Sequence, residues 1–178
     1  MTPEAREQIV DAAAKLFAEQ GIYATSMAQI AKTAGISRAW LYRNFDGRDP
    51  IVQAALARYS GQAAAMLTDA DRRERSVEQA VIAVFCHLVT HGRRQRYIPE
   101  ALAADPASVI GPAVIELQRY LVEQRAVLPE IQGRIAAEAI ARLILSAITT
   151  TSITIDFDDP EAVAAFAQQI LPRLLTAH

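Results

Sequence analysis

Two short helices at about residues 27–46 constrain the fold more than any other part of the sequence. Ser26 stands one position before the first helix, with a glutamine three residues later, which is the pattern of a capping box. Gly35 interrupts the helical periodicity, because glycine readily adopts the left-handed conformation that ends a helix. Ser37 then caps a second helix, Arg38–Asn44. We therefore expect two helices joined by a tight turn.

The second helix of this pair presents a distinctive outward face. Its inward side is apolar, with Leu41 and Phe45 in helical register. The outward arc carries Ala39, Trp40, Arg43 and Asn44, and Arg38 and Tyr42 flank it. Helix pairs with a glycine turn also occur as plain hairpins in protein cores, but this mixture is not typical of a merely solvated surface. The pattern favours a helix-turn-helix, whose second helix enters the major groove of DNA.

The residue types on this motif suggest which groups read bases and which bind phosphates. Arginine suits the edge of a guanine and asparagine that of an adenine, so Arg43 and Asn44 are candidates for base reading. Arg38 reaches either a base or the backbone. The complete predicted base-reading set is Arg38, Ala39, Trp40, Arg43 and Asn44. Hydroxyl groups and a cation near the helix ends suit phosphates, and the predicted phosphate-binding set is Thr25, Ser26, Ser37, Tyr42 and Arg48.

Apolar side chains recur at helical spacing along nearly the whole chain of 178 residues. Glycine is sparse, and residues that favour helices dominate. We expect an all-α fold of about nine helices: a three-helix bundle at residues 1–48 that contains the helix-turn-helix, then a larger helical domain at residues 49–178. The helices expected in the larger domain span about residues 50–67, 76–92, 99–104, 108–127, 130–153 and 160–174, with a charged loop at residues 69–75.

Charge is unevenly distributed along the chain. The net charge is −2, but residues 1–48 hold six basic and five acidic side chains, whereas residues 49–178 hold twelve and fifteen. Three of the basic side chains are arginines within residues 38–48, against Asp46 alone. A small cationic face suits a protein that makes few DNA contacts per subunit and gains affinity by pairing subunits. It does not suit a non-specific nucleic-acid coat.

No set of residues in the sequence indicates catalysis. His87 and His91 stand four positions apart, but the glutamate of a zinc-protease helix is missing between them. Cys86 and His87 are neighbours, which points their side chains about 100° apart on a helix and disfavours a nucleophile–base pair. The sequence also has no glycine-rich phosphate loop and no cysteine cluster. We expect no enzyme activity, no catalytic residues, no cofactor and no metal site.

The sequence has the features of a cytoplasmic protein. Its single cysteine, Cys86, cannot form an intrachain disulfide. The first ten residues are charged where a signal peptide would be apolar. The closest approach to a membrane span, at residues 139–155, is interrupted by Arg142 and by hydroxyl residues, so we expect no membrane segment.

Many spaced positions agree with one known family. Residues 9–52 resemble the DNA-binding region of the tetracycline-repressor (TetR) family of bacterial transcription regulators. The matching residues are Ala14-Lys15-Leu16-Phe17, Gly21, Thr25-Ser26-Met27, Ile30-Ala31, Ala34-Gly35-Ile36-Ser37, Leu41-Tyr42, Phe45, Arg48-Asp49 and Ile51. The resemblance implies that the positions matching Arg38–Asn44 carry the groove contacts. Trp40 departs from the pattern, since the family usually has a small residue there; it packs either against a thymine methyl or sugar, or into the bundle.

The resemblance also implies a function for the larger domain. It implies a homodimer that pairs through the helices at about residues 130–153 and 160–176, and a core that binds a small apolar effector. Six side chains are candidates for lining such a pocket, although ordinary core or surface positions explain them as well: Tyr59, Phe85, Cys86, His87, Tyr97 and Tyr120. The long helix that starts at Pro50 would then act as a lever that changes the spacing of the two DNA-reading helices.

Three functional hypotheses follow from these observations. The favoured one is a homodimeric, ligand-responsive repressor that reads a near-palindromic DNA operator. The first alternative is an architectural or nucleoid-associated protein of the same fold, which would bind DNA without sequence preference and without an effector. The second is a helical ligand carrier or enzyme whose helix-turn-helix is non-functional, which would not retain DNA even at low salt.

Overall fold

The computed structural model describes residues 2–73, 75–124 and 128–176, and these ranges contain helices but no strand. The helices are α1 Pro3–Gln20, α2 Met27–Thr33, α3 Arg38–Asn44, α4 Asp49–Arg72, α5 Val77–Arg94, α6 Tyr97–Ala104, α7 Pro106–Arg119, α8 Glu130–Thr149 and α9 Pro160–Leu174. A π-helical turn, Tyr120–Gln124, continues α7. Over the described ranges, the structure confirms the predicted all-α fold and its approximate number of helices.

Capping side chains explain where many of the helices begin. Ser26 and Ser76 each form a capping box with the glutamine three positions later, as the sequence predicts for Ser26. Thr2, Asp105 and Asp159 each accept a hydrogen bond from a backbone amide of the first turn, and each is followed by a proline. Proline at the first helical position is favourable, because the amide that it lacks would have no intrahelical partner.

The fourth helix is longer than the sequence prediction. We expected it to end before a charged loop at residues 69–75, but α4 continues to Arg72. The charged residues support its last turn, because Arg73 pairs with Asp69 at 2.9 Å and at the favourable i, i+4 spacing. Glu74, which belongs to the predicted loop, lies outside the described residues.

Other helix ends also shift from their predicted positions. α5 runs two residues past Gly92, and α6 begins two residues before Pro99, since proline is tolerated in a first turn. α8 stops at Thr149, four residues earlier than expected. In this last turn the Thr149 hydroxyl donates a hydrogen bond to the Leu145 carbonyl at 2.9 Å, as threonine side chains do when they compete with the backbone. Val127, the predicted end of the helix before α8, lies outside the described residues.

The three N-terminal helices form a small bundle that packs on α4. Ile9, Phe17, Ile30 and Leu41 are at most 1% exposed at its centre. Ile51, in the first turn of α4, is fully buried with them, and α1 packs along α4 as well as on α2. A bundle of this size buries too little apolar surface to be stable alone, so α4 completes its core.

The remaining helices pack around α5. α5 contacts α4, α8 and α9, while α7 contacts α4 and α8. The rings of Phe85 on α5 and Phe166 on α9 lie 5.9 Å apart between their centroids. α5 lies close to α4 and α8 at Gly92, where a Cβ atom would collide with the Tyr59 hydroxyl and with Ile148. Because a close-packed interior has little free volume, a displacement of α4, α5 or α8 at this contact also displaces its neighbours.

Arg93 joins the end of α5 to the segment between α8 and α9. Its guanidinium donates to both carboxylate oxygens of Asp158, at 2.7 and 2.8 Å, and to the Ala147 carbonyl at 2.8 Å. The hydrogen bonds from Arg93 hold the pKa of the Asp158 carboxyl below its ordinary value. Arg93 thereby fixes where the chain turns towards α9.

Within the described ranges, no single helix combines the length and the apolarity that crossing a membrane requires. Among the described helices, the pair Tyr97–Ala104 and Pro106–Glu123 reaches the required length and apolarity only when taken together, and the chain bends by 102° between the two.

Candidate nucleic-acid interface

α3 places most of its predicted outward face in solvent. Arg38, Ala39 and Arg43 are exposed, and Tyr42 is 57% exposed. Leu41 is fully buried on the opposite side, so the helix is anchored in this rotation. Neither Arg38 nor Arg43 forms an ion pair with another described residue. The helix therefore presents two guanidinium groups and a phenol that are available to a partner.

Trp40 and Asn44 are turned partly away from solvent. Trp40 is half-buried and packs against the hydrophobic core, which is the second of the two orientations that the sequence left open. The side-chain amide of Asn44 donates to the Trp40 carbonyl at 2.7 Å. This hydrogen bond uses one of the two N–H donors of the amide and holds the side chain along the helix, so the outward face is smaller here than the sequence predicts.

Ser26 and Ser37 are exposed at the starts of α2 and α3. The Ser37 hydroxyl oxygen accepts from the Trp40 amide at 3.1 Å and donates to no described residue, so its O–H group is available to a phosphate. The Ser26 hydroxyl accepts from the Gln29 amide at 3.3 Å and donates to the Gln29 side chain at 2.8 Å. Ser26 must therefore release Gln29 before it can donate to a phosphate.

The structure contradicts the predicted phosphate contact of Thr25. Its side chain is 1% exposed, and its hydroxyl donates to the Gly21 carbonyl at 2.8 Å while accepting from the Gln20 side chain at 3.1 Å. The single O–H donor is thus used inside the protein. Thr25 instead stabilises the connection between α1 and α2, which we call the α1–α2 turn (residues 21–25).

The structure also contradicts the predicted phosphate contact of Arg48. One guanidinium nitrogen, Nη1, donates to the carbonyls of Ile22, Tyr23 and Thr25, at 2.9, 3.4 and 3.2 Å. The Nε atom is buried and has no hydrogen-bond partner among the described residues. The guanidinium carbon lies 5.8 Å from the centroid of the Tyr23 ring. Arg48 holds the α1–α2 turn against the segment that precedes α4, and most of its donors point inward.

Two further residues at this turn escaped the sequence analysis. Tyr23 is 68% exposed beside the bundle. Glu100 on α6 accepts a hydrogen bond from the Ile22 amide at 2.6 Å. A tyrosine in a short connection before a capping box is visible in the sequence and could have been considered. The Glu100 contact joins residues 78 positions apart, so no local pattern reports it.

A narrow cavity of about 40 Å³ lies between α4, α5, α6, α7 and α8. Its lining is aliphatic apart from Tyr59 and Ser60, and it includes Ile98, Leu102, Val109, Ala113, Ala141 and Leu145. The described residues that line it include no charged side chain. The Tyr59 hydroxyl donates to the Leu88 carbonyl at 2.6 Å, and burial raises the pKa of Tyr59 above its ordinary value. The cavity therefore has an almost entirely apolar interior.

Tyr59 is the one member of the predicted pocket set that lines this cavity. The other five, Phe85, Cys86, His87, Tyr97 and Tyr120, do not line it. Phe85 and Tyr120 are fully buried in the core, and Tyr97 packs against Phe17 of α1 at 6.1 Å between ring centroids. The predicted set consists of aromatic and polar residue types, whereas mostly aliphatic residues line this cavity, so as an effector site the predicted set stays a prediction.

His87 belongs to a row of stacked rings that begins at Tyr59 and continues through His91. Its ring lies 5.4 Å from that of His91, which lies 6.0 Å from that of Tyr59. Burial, followed by the charges of His87 and Arg94, lowers the pKa of His91 below its ordinary value, which favours the neutral ring. The described residues contain no group of three or more histidine, cysteine or acidic side chains placed to hold a metal ion.

α8 exposes large apolar side chains. Ile131 is 73% exposed and Ile135 is 65% exposed, and the two lie on one face at i, i+4 spacing. Arg142 and Glu138 follow on the same helix and form an ion pair at 2.6 Å. Neighbouring exposed isoleucines within a polar border are typical of a surface that another protein covers.

The chain is similar to bacterial transcription regulators. Residues 9–55 match the family described as bacterial regulatory proteins, tetR family. The chain is 36% identical over 81 residues to the HTH-type transcriptional regulator SrpR of Pseudomonas putida, a match that covers 46% of this chain and 38% of SrpR. It is 33% identical over 109 residues to the regulator BetI of Rhizobium meliloti (strain 1021), covering 58% of this chain and 50% of BetI. The matches thus span about half, or less, of these relatives.

Solved structures extend the similarity over nearly the whole chain. The TetR family repressor AlkX from Dietzia sp. strain DQ12-45-1b is 26% identical, with a TM-score of 0.68 and coverage of 97% of this chain and 95% of AlkX. Over residues 9–55 the chain matches the TetR family, and it shares the fold of a TetR family repressor over nearly its whole length. The multidrug-binding protein EbrR, complexed with imidazole, shares the fold at 19% identity and a TM-score of 0.70, covering 99% and 98% of the two chains. These similar proteins are described as transcription regulators or repressors, which agrees with the expectation that this chain is not an enzyme.

Within this TetR-family motif, the structure divides the predicted DNA-contact residues into two groups. One group forms a continuous exposed surface, the α3 surface, which consists of Ser37, Arg38, Ala39, Tyr42 and Arg43. The other group has its polar atoms engaged in intramolecular hydrogen bonds, and it consists of Thr25, Ser26, Asn44 and Arg48. Trp40 belongs to neither group, because it packs against the hydrophobic core. The α3 surface can offer two bidentate cationic donors and two hydroxyl groups to a nucleic acid.

Replacing Arg48 by alanine is expected to lower the free energy of unfolding by about 2–3 kcal/mol, because three carbonyls of the α1–α2 turn lose a charged donor. Urea denaturation followed by circular dichroism measures this difference. Arg43→Ala is the matched control, since Arg43 is exposed and its replacement is expected to change stability by less than about 0.5 kcal/mol. Equal stability of the two variants would contradict the structural role of Arg48.

Proposed function

We propose that the chain is a DNA-binding transcription regulator of the TetR family that acts in the cytoplasm as a ligand-responsive repressor. It binds a near-palindromic operator as a homodimer, with residues 1–48 as the DNA-binding domain and residues 49–178 as the ligand-binding and dimerisation domain. The observation that carries this proposal is the α3 surface, which exposes Arg38, Tyr42 and Arg43 while buried Leu41 fixes the rotation of the helix. The family match over residues 9–55 supports DNA binding by this part of the chain.

The α3 surface supports a division between base and phosphate contacts. Arg43 lies in the last turn of α3, exposed, where it can reach the edge of a guanine, and Arg38 at the start of α3 can reach a base or the backbone. Ala39 adds no bulk between them, which lets the helix approach the groove. Ser37 and Tyr42 offer hydroxyl groups to phosphates and so fix the register of the helix on the duplex.

Trp40 and Asn44 were both predicted to read bases, and we assign them smaller roles in DNA binding. Trp40 packs inward, so it supports the position of α3 rather than reading a base edge. Asn44 has one N–H donor engaged by the Trp40 carbonyl, which limits its reach to a base. Base reading in the complex thus rests first on the two arginines.

Dimerisation through α8 and α9 is supported by the apolar side chains that α8 leaves exposed. Ile131 and Ile135 lie one turn apart on the same face of α8, and the same face of a second copy would cover them. A two-fold axis through this face brings each residue close to its own copy, which is the usual geometry of a homodimer. The pair of helices on each subunit would then form a four-helix interface.

The cavity supports a small, uncharged apolar effector. Its described lining contains no charged side chain, and its one phenol hydroxyl already donates to the Leu88 carbonyl. A charged ligand would lose its hydration without gaining a partner, which is unfavourable by several kcal/mol. The similar repressor AlkX is described as implicated in the biodegradation of n-alkanes, which agrees with an aliphatic ligand class for this chain.

Arg43→Ala is expected to weaken binding to the preferred DNA sequence by about 1–3 kcal/mol, because a bidentate contact to a base is lost. The preferred duplex is first selected from a random pool. Fluorescence anisotropy titrations then compare the affinity of each variant for this duplex with its affinity for a random duplex. Arg96→Ala is the control, since Arg96 is also exposed but lies between α5 and α6. Equal affinity of the unaltered protein for selected and random duplexes would refute a repressor and favour the nucleoid-associated alternative.

Ile135→Asp is expected to convert the protein from a dimer to a monomer, because pairing would bury two carboxylates at an apolar contact. Sedimentation velocity measures the change in mass. Ile115→Asp is a matched control, since Ile115 is 67% exposed on α7, outside the proposed interface. Dimers that persist in the Ile135 variant would rule out this face as the interface.

1-Octanol is expected to raise the melting temperature of the protein, because a ligand that binds only the folded state stabilises it by mass action. Octanoate has the same chain length but carries a charge, so it is expected to have no such effect. Differential scanning fluorimetry at matched concentrations compares the two. Stabilisation by octanoate that equals or exceeds that by 1-octanol would contradict an uncharged effector.

A further inference from the structure

We propose that Glu100 is a positioning residue that transmits the state of the apolar cavity directly to the α1–α2 turn. This inference rests on the proposed function of the cavity as an effector site, and it names the contact through which that site acts. The starting observation is the hydrogen bond at 2.6 Å between the Ile22 amide and the Glu100 carboxylate, which joins the DNA-binding region to α6.

α6 contacts the DNA-binding region with one face and the cavity with the other. Residues three or four positions apart share a face of a helix. Tyr97 and Glu100 share the face that contacts α1 and the α1–α2 turn, where the Tyr97 ring lies 6.1 Å from that of Phe17. Ile98 and Leu102 share the opposite face and line the cavity. A displacement of this short helix by a cavity occupant therefore moves Glu100 as well.

Several hydrogen bonds hold the α1–α2 turn, so it does not deform freely when Glu100 is displaced. Arg48 donates to three of its carbonyls, and Thr25 donates to the Gly21 carbonyl across it. A Cβ atom on Gly21, which has a φ of +89°, would collide with the Glu100 carboxylate, so the two segments are in close contact. When Glu100 moves, either its hydrogen bond to Ile22 breaks or the turn moves with it, and the turn leads directly into α2.

The displacement that this mechanism requires is small. The cavity is narrow, so an occupant must push its lining apart. A hydrogen bond of 2.6 Å is lost once the two atoms are about 3.5 Å apart, so a shift of about 1 Å is enough. The protein then has two states, one with the Glu100 contact and a narrow cavity, and one without the contact and with a wider cavity. An effector favours the second state because it binds that state better.

α6 is the part of the cavity wall that yields most readily. It has eight residues and no side-chain hydrogen bond that caps its start. α4 also lines the cavity, but the hydrogen bond from Tyr59 to the Leu88 carbonyl at 2.6 Å ties it to α5. The route through Glu100 therefore reaches the DNA-binding region without a movement of α4.

Hydrogen exchange of the Ile22 amide tests the contact in the free protein, without DNA. Glu100→Ala removes the acceptor and is expected to raise the exchange rate of this amide about tenfold or more, whereas Glu100→Gln keeps a side-chain oxygen and retains most of the protection. In the unaltered protein, 1-octanol is expected to raise the same rate. Ala113→Leu, which adds a larger side chain to the cavity wall, is expected to have the same effect and does not depend on ligand affinity.

DNA affinity then tests the transmission. 1-Octanol and Ala113→Leu are each expected to weaken binding of the unaltered protein to its selected duplex about tenfold or more, within the usual range of allosteric coupling. In the Glu100→Ala background, both effects are expected to fall below about twofold, because the two changes act through the same contact.

Two results would overturn the role of Glu100. One is unchanged Ile22 exchange in Glu100→Ala, and the other is a loss of affinity on filling the cavity that is as large in that variant as in the unaltered protein. Failure of the proposed function gives a different result, in which no variant prefers any duplex. In that case the exchange rates alone decide whether the cavity controls the Glu100 contact.

Discussion

The packing of α1 against α4 is the interaction on which the DNA-binding region depends. α2 and α3 have only seven residues each, and the buried side chains of the first three helices are too few for an independent core. Ile51 and Ala55 of α4 are buried and complete that core. α4 then continues for 24 residues into the larger part of the chain, so the two parts share one element. The orientation of α3 is thus set in part by side chains far from any DNA.

Local sequence patterns predicted the elements that local forces determine. The capping box at Ser26, the positive φ of Gly35 and the cap at Ser37 each depend on residues within four positions, and all three are present. The inward side of α3 was also predicted, because Leu41 and Phe45 are the apolar residues in register. Helix ends were less predictable, as the extension of α4 to Arg72 illustrates, since a polar segment can continue a helix when its charges pair at i, i+4 spacing, as Asp69 and Arg73 do.

Arg48 and Thr25, which sequence reasoning assigned to phosphates, have hydrogen-bond partners within the protein that their residue types do not reveal. Arg48 has the residue type of a phosphate contact, but its acceptors lie 23 to 26 positions earlier in the α1–α2 turn. Thr25 is polar and precedes a helix, yet the turn encloses it. The cavity residues were missed for a related reason: Ile98, Val109 and Ala141 look like ordinary core residues, and only the tertiary structure shows that they border a void.

The inward position of Arg48 changes the electrostatics of DNA binding. The sequence offers three arginines in the segment around α3, but only Arg38 and Arg43 remain available to a duplex. Each phosphate that a protein neutralises contributes to affinity through counterion release, so one subunit with two available guanidiniums has a small electrostatic contribution. A second α3 surface, linked rigidly to the first, turns the second binding event into an intramolecular one with a high effective concentration. In the proposed dimer, the exposed apolar residues of α8 would therefore compensate for the modest charge of α3, because they would join two weakly charged DNA-reading surfaces in one assembly.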